Sequence, residues 1–171
     1  MSRVQLALNV NDIDEAVSFY TALFGTEPAK RKPGYANFAI DQPPLKLVLL
    51  ENPGQGGTLN HLGVEVPDAD AVDAEQARLA QAGLAAVNER DTTCCYARQD
   101  KFWVTGGPGG ERWEIYTVLA DSPTFWGQDD ERRWDAVQAE LGAPAGQPAP
   151  CCGGSRAQGN EEAASSGVCC G

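Results

Sequence analysis

The sequence of 171 residues predicts an α+β fold made of two β-α-β-β-β modules. The first observation is an internal repeat, in which Gln5–Asp12 aligns with His61–Asp68 at an offset of 56 residues. The second is that each copy continues from a strand pattern into an amphipathic helix and then into short β-rich runs. Because one module alone is too small to close a core, we expect the two to stack their sheets into a single body with a ligand cleft between them.

The first module is predicted at residues 1–53. Asp12 and Glu15 have the spacing of a capping box, so a helix is expected to begin there and to end at Gly25. One face of this helix is apolar and carries Ile13, Ala16, Val17, Tyr20 and Phe24. Two β-rich runs bounded by turn residues follow the helix, at residues 35–40 and 45–51.

The second module is predicted at residues 57–120. Its helix is expected to begin near Asp68 or Asp70 and to end at Gly83. The apolar positions of this helix are Val72, Leu79 and Ala82. Three β-rich runs follow, at residues 93–98, 101–105 and 113–118. Together the two modules make one predicted domain at residues 1–120.

The composition changes beyond residue 120. Residues 121–142 contain an amphipathic pattern that predicts a short helical extension. Residues 143–171 are rich in Gly, Ala, Pro and Ser and cannot bury enough apolar surface to offset their ordering entropy, so a disordered tail is expected. This tail carries two adjacent cysteine pairs, Cys151 with Cys152 and Cys169 with Cys170.

Composition and charge exclude several classes of function. Lys and Arg number 13 against 24 Asp and Glu, and the resulting net charge of −11 repels a phosphate backbone, so no nucleic acid partner is expected. No run approaches ~18 apolar residues, and the N-terminal residues lack a signal-peptide pattern, so we expect no membrane association and a cytoplasmic location. The basic run Lys30–Lys32 is predicted as a solvated loop. A monomer and a homodimer both remain open.

Three polar residues form a candidate metal site. His61 is the single histidine of the chain, and Gln5 is its mate in the repeat, so the two fall at equivalent places in the modules. Side-chain alternation is expected to put Leu59 and Gly63 on the face of His61. One imidazole, one amide oxygen and the carboxylate of Glu114 could bind a divalent ion of the Fe(II), Mn or Zn type.

The same residues also allow structural interpretations. A single strand-borne histidine is more often a satisfied structural residue than a metal ligand. Glu114 could pair with Arg112 or Lys101, because a buried carboxylate is costly without a partner. Gln5 could be an ordinary polar strand residue. The repeat favours the metal site, since it puts one candidate ligand at the symmetry mate of another.

The six cysteines occur as three adjacent pairs, of which Cys94 and Cys95 lie within the predicted domain. Ring closure across one peptide bond is strained and a cytoplasmic chain is kept reduced, so disulfides are not expected. Free dithiols bind soft elements through polarisable thiolates. Neighbouring side chains of a regular strand point to opposite faces, so both thiols can bind one atom only if the backbone is irregular. A loop or bulge, mobile before ligand binds, is therefore predicted at residues 91–95. The alternative is one core cysteine and one exposed cysteine.

Several segments resemble a known family. The strand-borne Gln5 and His61, the Trp113–Tyr116 strand and the duplicated module resemble the glyoxalase and extradiol dioxygenase superfamily, also called the vicinal oxygen chelate superfamily. Over about residues 3–118 the chain is similar to bacterial carbon-arsenic lyases, often described as cadmium-induced proteins. The most specific matching segments are Thr93-Cys94-Cys95-Tyr96-Ala97 and Asp100–Val104, and others are Phe19–Gly25, Pro33–Phe38, Pro44–Leu49 and His61–Glu65.

This resemblance implies a vicinal oxygen chelate fold and an enzyme that uses non-haem Fe(II), with dioxygen as co-substrate. The reaction would break the carbon-arsenic bond of trivalent organoarsenicals, such as methylarsonous acid or reduced aromatic arsenicals, and release arsenite. Gln5, His61 and Glu114 would be the metal ligands, and His61 and Glu114 would serve catalysis. Cys94 and Cys95 would bind arsenic. Many members of the wider superfamily have a second histidine where this chain has Gln5, so the metal identity stays open.

Two other functions compete with this prediction. The three cysteine pairs could sequester arsenic or cadmium without turnover, with the fold acting only as a scaffold. A different reaction of the superfamily, such as ring cleavage or glutathione transfer, needs no dithiol near the metal, so Cys94 and Cys95 disfavour it. In the lyase, the tail pairs could capture arsenic and pass it to Cys94 and Cys95, or could be dispensable.

Overall fold

The computed structural model describes residues 2–84, 86–104 and 106–127. The predicted disordered tail and most of the helical extension lie outside these residues. The first module comprises β1 (Arg3–Val10), α1 (Ile13–Phe24), β2 (Lys30–Lys32), β3 (Tyr35–Ile40) and β4 (Leu45–Glu51). The second comprises β5 (Leu59–Glu65), α2 (Ala69–Gln81), β6 (Ala86–Cys94), β7 (Ala97–Val104) and β8 (Trp113–Asp121). The α+β fold of two β-α-β-β-β modules is confirmed.

The two helices begin at the acidic residues that the sequence indicates. The carboxylate of Asp12 accepts hydrogen bonds from the main-chain N–H groups of Asp14 and Glu15, and Gly25 ends α1 in the left-handed conformation. The carboxylate of Asp68 caps α2 by accepting from the N–H of Ala71. Of the described residues, no helix is long and apolar enough to cross a membrane.

The strands form one eight-stranded sheet in the order β2-β3-β4-β1-β5-β8-β7-β6. β1 and β5 pair antiparallel, so the modules join edge to edge, and the expected stacking of two separate sheets is wrong. The sheet is curled, and this brings its two ends together. The rings of Tyr35 on β3 and Tyr96, which follows β6, lie 5.6 Å apart. The curl encloses the predicted cleft.

Alternating side chains give the sheet two different faces. On β1, Leu6, Leu8 and Val10 belong to the core under α1, whereas Gln5 and Ala7 are buried on the opposite face. Under α2, Val72, Leu79, Phe102 and Ile115 form a second core, as the periodicity predicts for Val72 and Leu79. The helices therefore cover the outer face, and the polar strand residues face the cleft.

Two local predictions are wrong. Lys30–Lys32 forms strand β2, paired with β3, because edge strands tolerate charged side chains. The predicted run at residues 93–98 is a hairpin, in which β6 ends at Cys94, Cys95 and Tyr96 form the turn, and β7 begins at Ala97. Both turn residues have positive φ, which propensity alone would not predict for this pair.

Candidate functional site

The concave face of the sheet holds an open cleft, with about 460 Å³ of empty space when the solvent at its mouth is included. Both halves of the chain line it, and so does a short segment after β8. Its polar and thiol lining consists of Gln5, Lys46, Asn60, His61, Cys94, Cys95, Gln99, Lys101 and Glu114, and its apolar and aromatic lining of Tyr35, Val48, Trp103 and Trp126. All three candidate metal ligands and the predicted cysteine pair thus open into the same space.

Gln5, His61 and Glu114 converge inside this cleft. Nε2 of His61 lies 3.0 Å from Nε2 of Gln5 and 3.2 Å from Oε1 of Glu114. Nε2 of Gln5 donates to the same Glu114 oxygen at 2.6 Å. Gly63 lies between them, and a Cβ there would approach Cγ of Glu114 to 3.0 Å and Cβ of Gln5 to 3.3 Å, so the close approach requires glycine.

The amide of Gln5 is oriented by a tyrosine that was not predicted. Tyr116 donates its hydroxyl hydrogen to Oε1 of Gln5 at 2.6 Å, which leaves the amide nitrogen facing His61 and Glu114. Burial, followed by the negative charge of Glu114, raises the pKa of Tyr116 well above its ordinary value, so this hydroxyl stays protonated and can donate.

A buried cation balances the carboxylates. Nζ of Lys101 lies 3.4 Å from Oε2 of Glu114 and 3.3 Å from Oε2 of Glu89, and Lys101 is 1% exposed. Burial alone would raise the pKa of Glu114, but the charge of Lys101, the contact with His61 and the hydrogen bond from Gln5 lower it to about 2. Glu114 is therefore ionised near neutral pH. Lys101 holds its Oε2, which leaves Oε1 directed at His61 and Gln5.

Lys101 and Glu89 respond to the same burial. Burial alone would lower the pKa of Lys101, but the negative charges of Cys94, when ionised, and Glu114 outweigh it and raise that pKa well above its ordinary value. Burial raises the pKa of Glu89, which also accepts from Nε1 of Trp103 at 3.4 Å. Of the two partners foreseen for Glu114, the structure selects Lys101, whereas Arg112 donates to the main-chain oxygen of Asn60.

His61 has close neighbours on both sides of its ring. Its Nδ1 lies 2.7 Å from Oδ1 of Asn60, and the ring of Trp103 meets it edge to face at 5.3 Å. Leu59, expected on the same face as His61, is instead 45% exposed, and Asn60 takes its place in the cleft. A strand irregularity next to His61 causes this exchange.

Cys94 and Cys95 bring their thiols together. Their Sγ atoms lie 2.9 Å apart and are not bridged. Cys95 has φ 58° and Tyr96 has φ 60°, so the backbone is left-handed at both turn residues, and this turns the two side chains of adjacent residues to one place. The irregular backbone predicted for residues 91–95 is present, since Asp91 also has φ 50° and the β6–β7 register shifts between Glu89 and Thr92.

The thiol hairpin is held by a strap, which we define as Ser122–Gly127. The N–H of Ser122 donates to the carbonyl of Tyr96 at 2.9 Å, and Trp126 forms an isolated β-bridge with Cys94. This segment, the first part of the predicted helical extension, contains no helix. Left-handed non-glycine residues cost about 1–3 kcal/mol each, and contacts such as these offset that cost.

An aromatic cluster covers the same turn. The ring of Phe125 lies 5.3 Å from that of Tyr96 and 6.3 Å from that of Tyr35. Nζ of Lys30 adds a hydrogen bond of 2.9 Å to the carbonyl of Tyr96. The thiol pair is therefore tied to both the strap and the opposite end of the sheet.

The donor set of Gln5, His61 and Glu114 fits a divalent metal. It offers one nitrogen and one carboxylate oxygen directly, and one amide oxygen once the amide of Gln5 is reversed. Among the described residues, no group of three or more His, Cys, Asp and Glu side chains is placed to bind a metal. The amide is thus essential to any three-ligand site here, and the sequence repeat was the signal that found it.

Several residues in or beside the cleft were not predicted as site residues, and their positions explain why. Tyr116 lies two residues beyond Glu114 in β8, so alternation could have placed it on the cleft face. Glu89 was missed because the predicted strand began at residue 93 instead of Ala86. Trp126 is brought to the cleft by the strap, which no periodic pattern indicates.

Residues 3–115 match the model of the Glyoxalase/Bleomycin resistance protein/Dioxygenase superfamily, which is more than half of the chain. The chain belongs to this superfamily. Within it, 125 residues are 73% identical to the cadmium-induced protein CadI of Mycobacterium tuberculosis, covering 73% of this chain and 82% of CadI. A further 60% identity over 131 residues relates the chain to the trivalent organoarsenical cleaving enzyme of Thermomonospora curvata, covering 76% of this chain and 86% of that enzyme.

The glyoxalase fold is also seen in a solved structure. The Mn(II)-bound glyoxalase from Novosphingobium aromaticivorans matches with a TM-score of 0.51 and 21% identity, over 71% of this chain and 42% of that one. At this identity the likeness concerns the fold alone. The expected superfamily and its vicinal oxygen chelate fold are confirmed, and the resemblance to organoarsenical-cleaving relatives is supported by sequence.

Proposed function

We propose that the protein cleaves the carbon-arsenic bond of trivalent organoarsenicals, with Fe(II) as cofactor and dioxygen as co-substrate. One observation carries the proposal: a vicinal thiol pair and a nitrogen–oxygen donor set open into one cleft. Trivalent arsenic is soft and prefers thiolates, whereas iron accepts imidazole and oxygen donors. The relative from Thermomonospora curvata, named a trivalent organoarsenical cleaving enzyme, supports the same activity.

Cys94 and Cys95 are proposed to hold the arsenic atom. Each thiol replaces one hydroxyl of a trivalent arsenical R–As(OH)₂, so two arsenic–sulfur bonds form and two waters leave. Their Sγ separation of 2.9 Å lets one atom contact both sulfurs. The strap and the aromatic cluster are proposed to hold the turn in this shape before the substrate arrives, in place of the mobile loop expected from the sequence, which lowers the entropy lost on binding.

Gln5, His61 and Glu114 are proposed to hold the iron. Bound there, Fe(II) supplies the activation of dioxygen. Lys101 keeps Glu114 ionised and fixes its direction, and Gly63 permits Gln5 and Glu114 to approach each other. When the amide of Gln5 is reversed, its nitrogen faces Tyr116 and can donate to the hydroxyl oxygen of that residue.

The organic group is proposed to lie against the aromatic wall of the cleft. Tyr35 and Trp126 line the cleft together with both cysteines, and Val48 adds an apolar surface. Such a wall excludes water from the reacting bond and orients the carbon toward the metal side.

The unbridged thiols suit a reducing compartment, so we propose that the enzyme lies in the cytoplasm. We propose that it acts as a monomer or a homodimer, without nucleic acid or membrane partners.

The test is anaerobic reconstitution with Fe(II), followed by methylarsonous acid or a reduced aromatic arsenical with and without dioxygen. Arsenic speciation by chromatography should show arsenite only when iron and dioxygen are both present. Arsenite formed without either component, or none formed with both, would contradict the proposal. The Asn88→Ala variant, altered at an exposed position of β6, serves as the folding control.

Sequestration of arsenic or cadmium without turnover is the second candidate, favoured by the preformed thiol pair. Binding of that kind needs neither His61 nor Glu114. Stoichiometric uptake without arsenite, unchanged in His61→Ala, would establish it.

We also propose that four cysteines outside the described residues capture arsenic for the cleft, namely Cys151, Cys152, Cys169 and Cys170. Deletion of residues 143–171 should then raise the substrate concentration needed for half-maximal rate, and an unchanged rate would exclude capture.

A further inference from the structure

The pairing of β1 with β5 has one irregularity beside the candidate metal site. His61 pairs with Ala7. The next pair is Leu8 with Leu59, so Asn60 is one extra residue in β5 relative to β1. An extra residue of this kind bends a strand and can redirect a side chain. Asn60 and His61 are adjacent, yet both are buried and both line the cleft.

A chain of four hydrogen bonds runs from a turn to His61. The hydroxyl of Thr58 donates to the main-chain oxygen of Gln55 at 2.7 Å. The amide nitrogen of Asn9 donates to the hydroxyl oxygen of Thr58 at 2.9 Å. The amide nitrogen of Asn60 donates to the amide oxygen of Asn9 at 2.9 Å, and Oδ1 of Asn60 lies 2.7 Å from Nδ1 of His61.

The first acceptor sets the direction of the whole chain. A main-chain carbonyl can only accept, so the hydroxyl of Thr58 donates outward and accepts from Asn9. The amide oxygen of Asn9 is then the acceptor for Asn60, and the oxygen of Asn60 is left for the ring of His61. An oxygen facing Nδ1 at hydrogen-bond distance requires a hydrogen on that nitrogen. In the neutral ring the other nitrogen, Nε2, then keeps its lone pair, which accepts from the amide nitrogen of Gln5 at 3.0 Å.

We propose that Asn60 is a positioning residue that holds the neutral ring of His61 in the Nδ1–H tautomer, with the Nε2 lone pair directed at the amide nitrogen of Gln5. That nitrogen lies 3.0 Å from Nε2 and also donates to Oε1 of Glu114, which lies 3.2 Å from Nε2. A metal can bind Nε2 only through this lone pair, and a partner on the other nitrogen fixes both tautomer and ring orientation. The role of Asn60 in metal binding rests on the proposed function, whereas its control of the tautomer can be measured without metal or arsenic.

The single histidine makes the tautomer directly observable. Full-length protein without a histidine tag, labelled with ¹⁵N only at histidine and kept metal-free, contains one imidazole whose two nitrogens differ in chemical shift when one is protonated. At a pH where the ring is neutral, the wild-type spectrum should show a protonated Nδ1 and an unprotonated Nε2. A protonated Nε2 in the wild type would overturn the proposal, whatever the variants do.

Substitutions separate positioning from general packing. Asn60→Ala should lose the Nδ1–H preference and weaken Mn(II) binding, measured by calorimetry, by about 10- to 100-fold. Asn60→Asp keeps an acceptor beside Nδ1, while the amide of Asn9 must reverse to donate to the new carboxylate, and it should retain both the tautomer and an affinity within about threefold of wild type. Asn88→Ala should change neither. An Asn60→Ala variant with the wild-type tautomer would contradict the proposal, and if that variant does not fold, loss of the tautomer in Asn60→Asp would do so.

These outcomes are independent of turnover. If wild type shows the Nδ1–H tautomer and binds Mn(II) but releases no arsenite, the positioning role stands and the lyase proposal fails. If arsenite is released while the wild-type ring carries its hydrogen on Nε2, the lyase stands and the role of Asn60 fails.

Discussion

The two modules offer the same backbone positions to the cleft but fill them differently. Ala7 of β1 pairs with Val48 of β4, and its repeat mate Gly63 of β5 pairs with Glu114 of β8. Val48 therefore occupies, in the first module, the position that Glu114 occupies in the second. The duplication sets where a side chain can reach the cleft, and single residue changes decide whether that side chain is a ligand or an apolar wall.

The chemistry is concentrated in the second module. His61, Glu114, Lys101 and both described cysteines belong to it, whereas the first module gives the neutral Gln5, the cation Lys46 and apolar or aromatic surface. The difference teaches that the cleft is polarised, with reactive groups on one side and room for an organic substituent on the other. Each prediction below changes one side of this comparison.

Removing the imidazole should have the largest effect. Metal coordination supplies several kcal/mol of stabilisation to a reaction, so His61→Ala should lower the rate of arsenite release by roughly 10³-fold. Capture of arsenic by Cys94 and Cys95 should persist, because the two arsenic–sulfur bonds do not involve the imidazole ring. Steady-state kinetics with Fe(II) and air measure the loss, and a variant within tenfold of wild type would argue against His61 as a ligand.

Glu114→Gln should show how much ionised Glu114 stabilises the folded protein and how this contribution depends on pH. The pKa of Glu114 is about 2 in the folded protein against about 4.3 in an unfolded chain. A depressed carboxyl pKa stabilises the fold above the unfolded value, and this contribution is lost as the pH falls toward the folded value. The free energy of unfolding of the metal-free wild type should exceed that of the variant by roughly 3 kcal/mol at pH 7.

Urea unfolding of both proteins between pH 7 and pH 3 measures this difference. The gap should stay constant down to about pH 4.5 and narrow below it. A difference in stability that widens on acidification would mean that Glu114 is neutral in the folded protein. The ion pair between Lys101 and Glu114 would then be contradicted.

Single cysteine substitutions should weaken capture of the arsenical while sparing metal binding. Two-point attachment exceeds one-point attachment by at least about 10²-fold, so Cys94→Ser and Cys95→Ser should each lose about that factor in affinity for methylarsonous acid. Mn(II) affinity should remain within about twofold of wild type. These titrations require the four tail cysteines replaced by serine as the common background. Equal losses of metal affinity would show that the thiols and the metal ligands are not separate sets.

A carboxylate at Val48 would make the first module resemble the second. Val48→Glu puts a carboxylate at a buried position of the cleft wall, so the metal-free protein should lose about 2 kcal/mol of stability. Mn(II) should restore more stability to this variant than to wild type, because the new carboxylate can join the ligands. Thermal unfolding with and without Mn(II) measures both effects, and Val48→Gln is the uncharged control. A variant that gains nothing from the metal would show that Val48 does not face the ligand set.

Trp126 should have the smallest effect, restricted to large substituents. Aromatic contacts contribute about 0.5–1.5 kcal/mol, so Trp126→Leu should raise KM for an aromatic arsenical by about 2- to 10-fold while leaving that for methylarsonous acid within about twofold. Phe19→Leu, on the exposed face of α1, is the control. Equal changes for both substrates would assign Trp126 to support of the hairpin instead of contact with the substrate.

The repeat predicted much of the site because it acts through regular strands. Gln5 and His61 were found since a symmetric pair of strands carries symmetric positions, and Glu114 since a carboxylate among large β-forming residues needs a partner. Asn60 could not be found this way, because strand alternation puts neighbours on opposite faces and only the register shift in β5 overturns it. The cysteine turn depends on left-handed backbone at Cys95, which tertiary contacts impose.

The most direct test of the central claim separates capture from cleavage in one sample. The protein with the four tail cysteines replaced by serine and His61 replaced by alanine is mixed with methylarsonous acid, Fe(II) and air, and both bound and free arsenic are speciated. The account predicts one methylarsenical bound per chain and no arsenite, while the same background with His61 intact releases arsenite. Arsenite from the His61→Ala protein, or no bound arsenical, would contradict the division of the cleft into a thiol pair and a metal site.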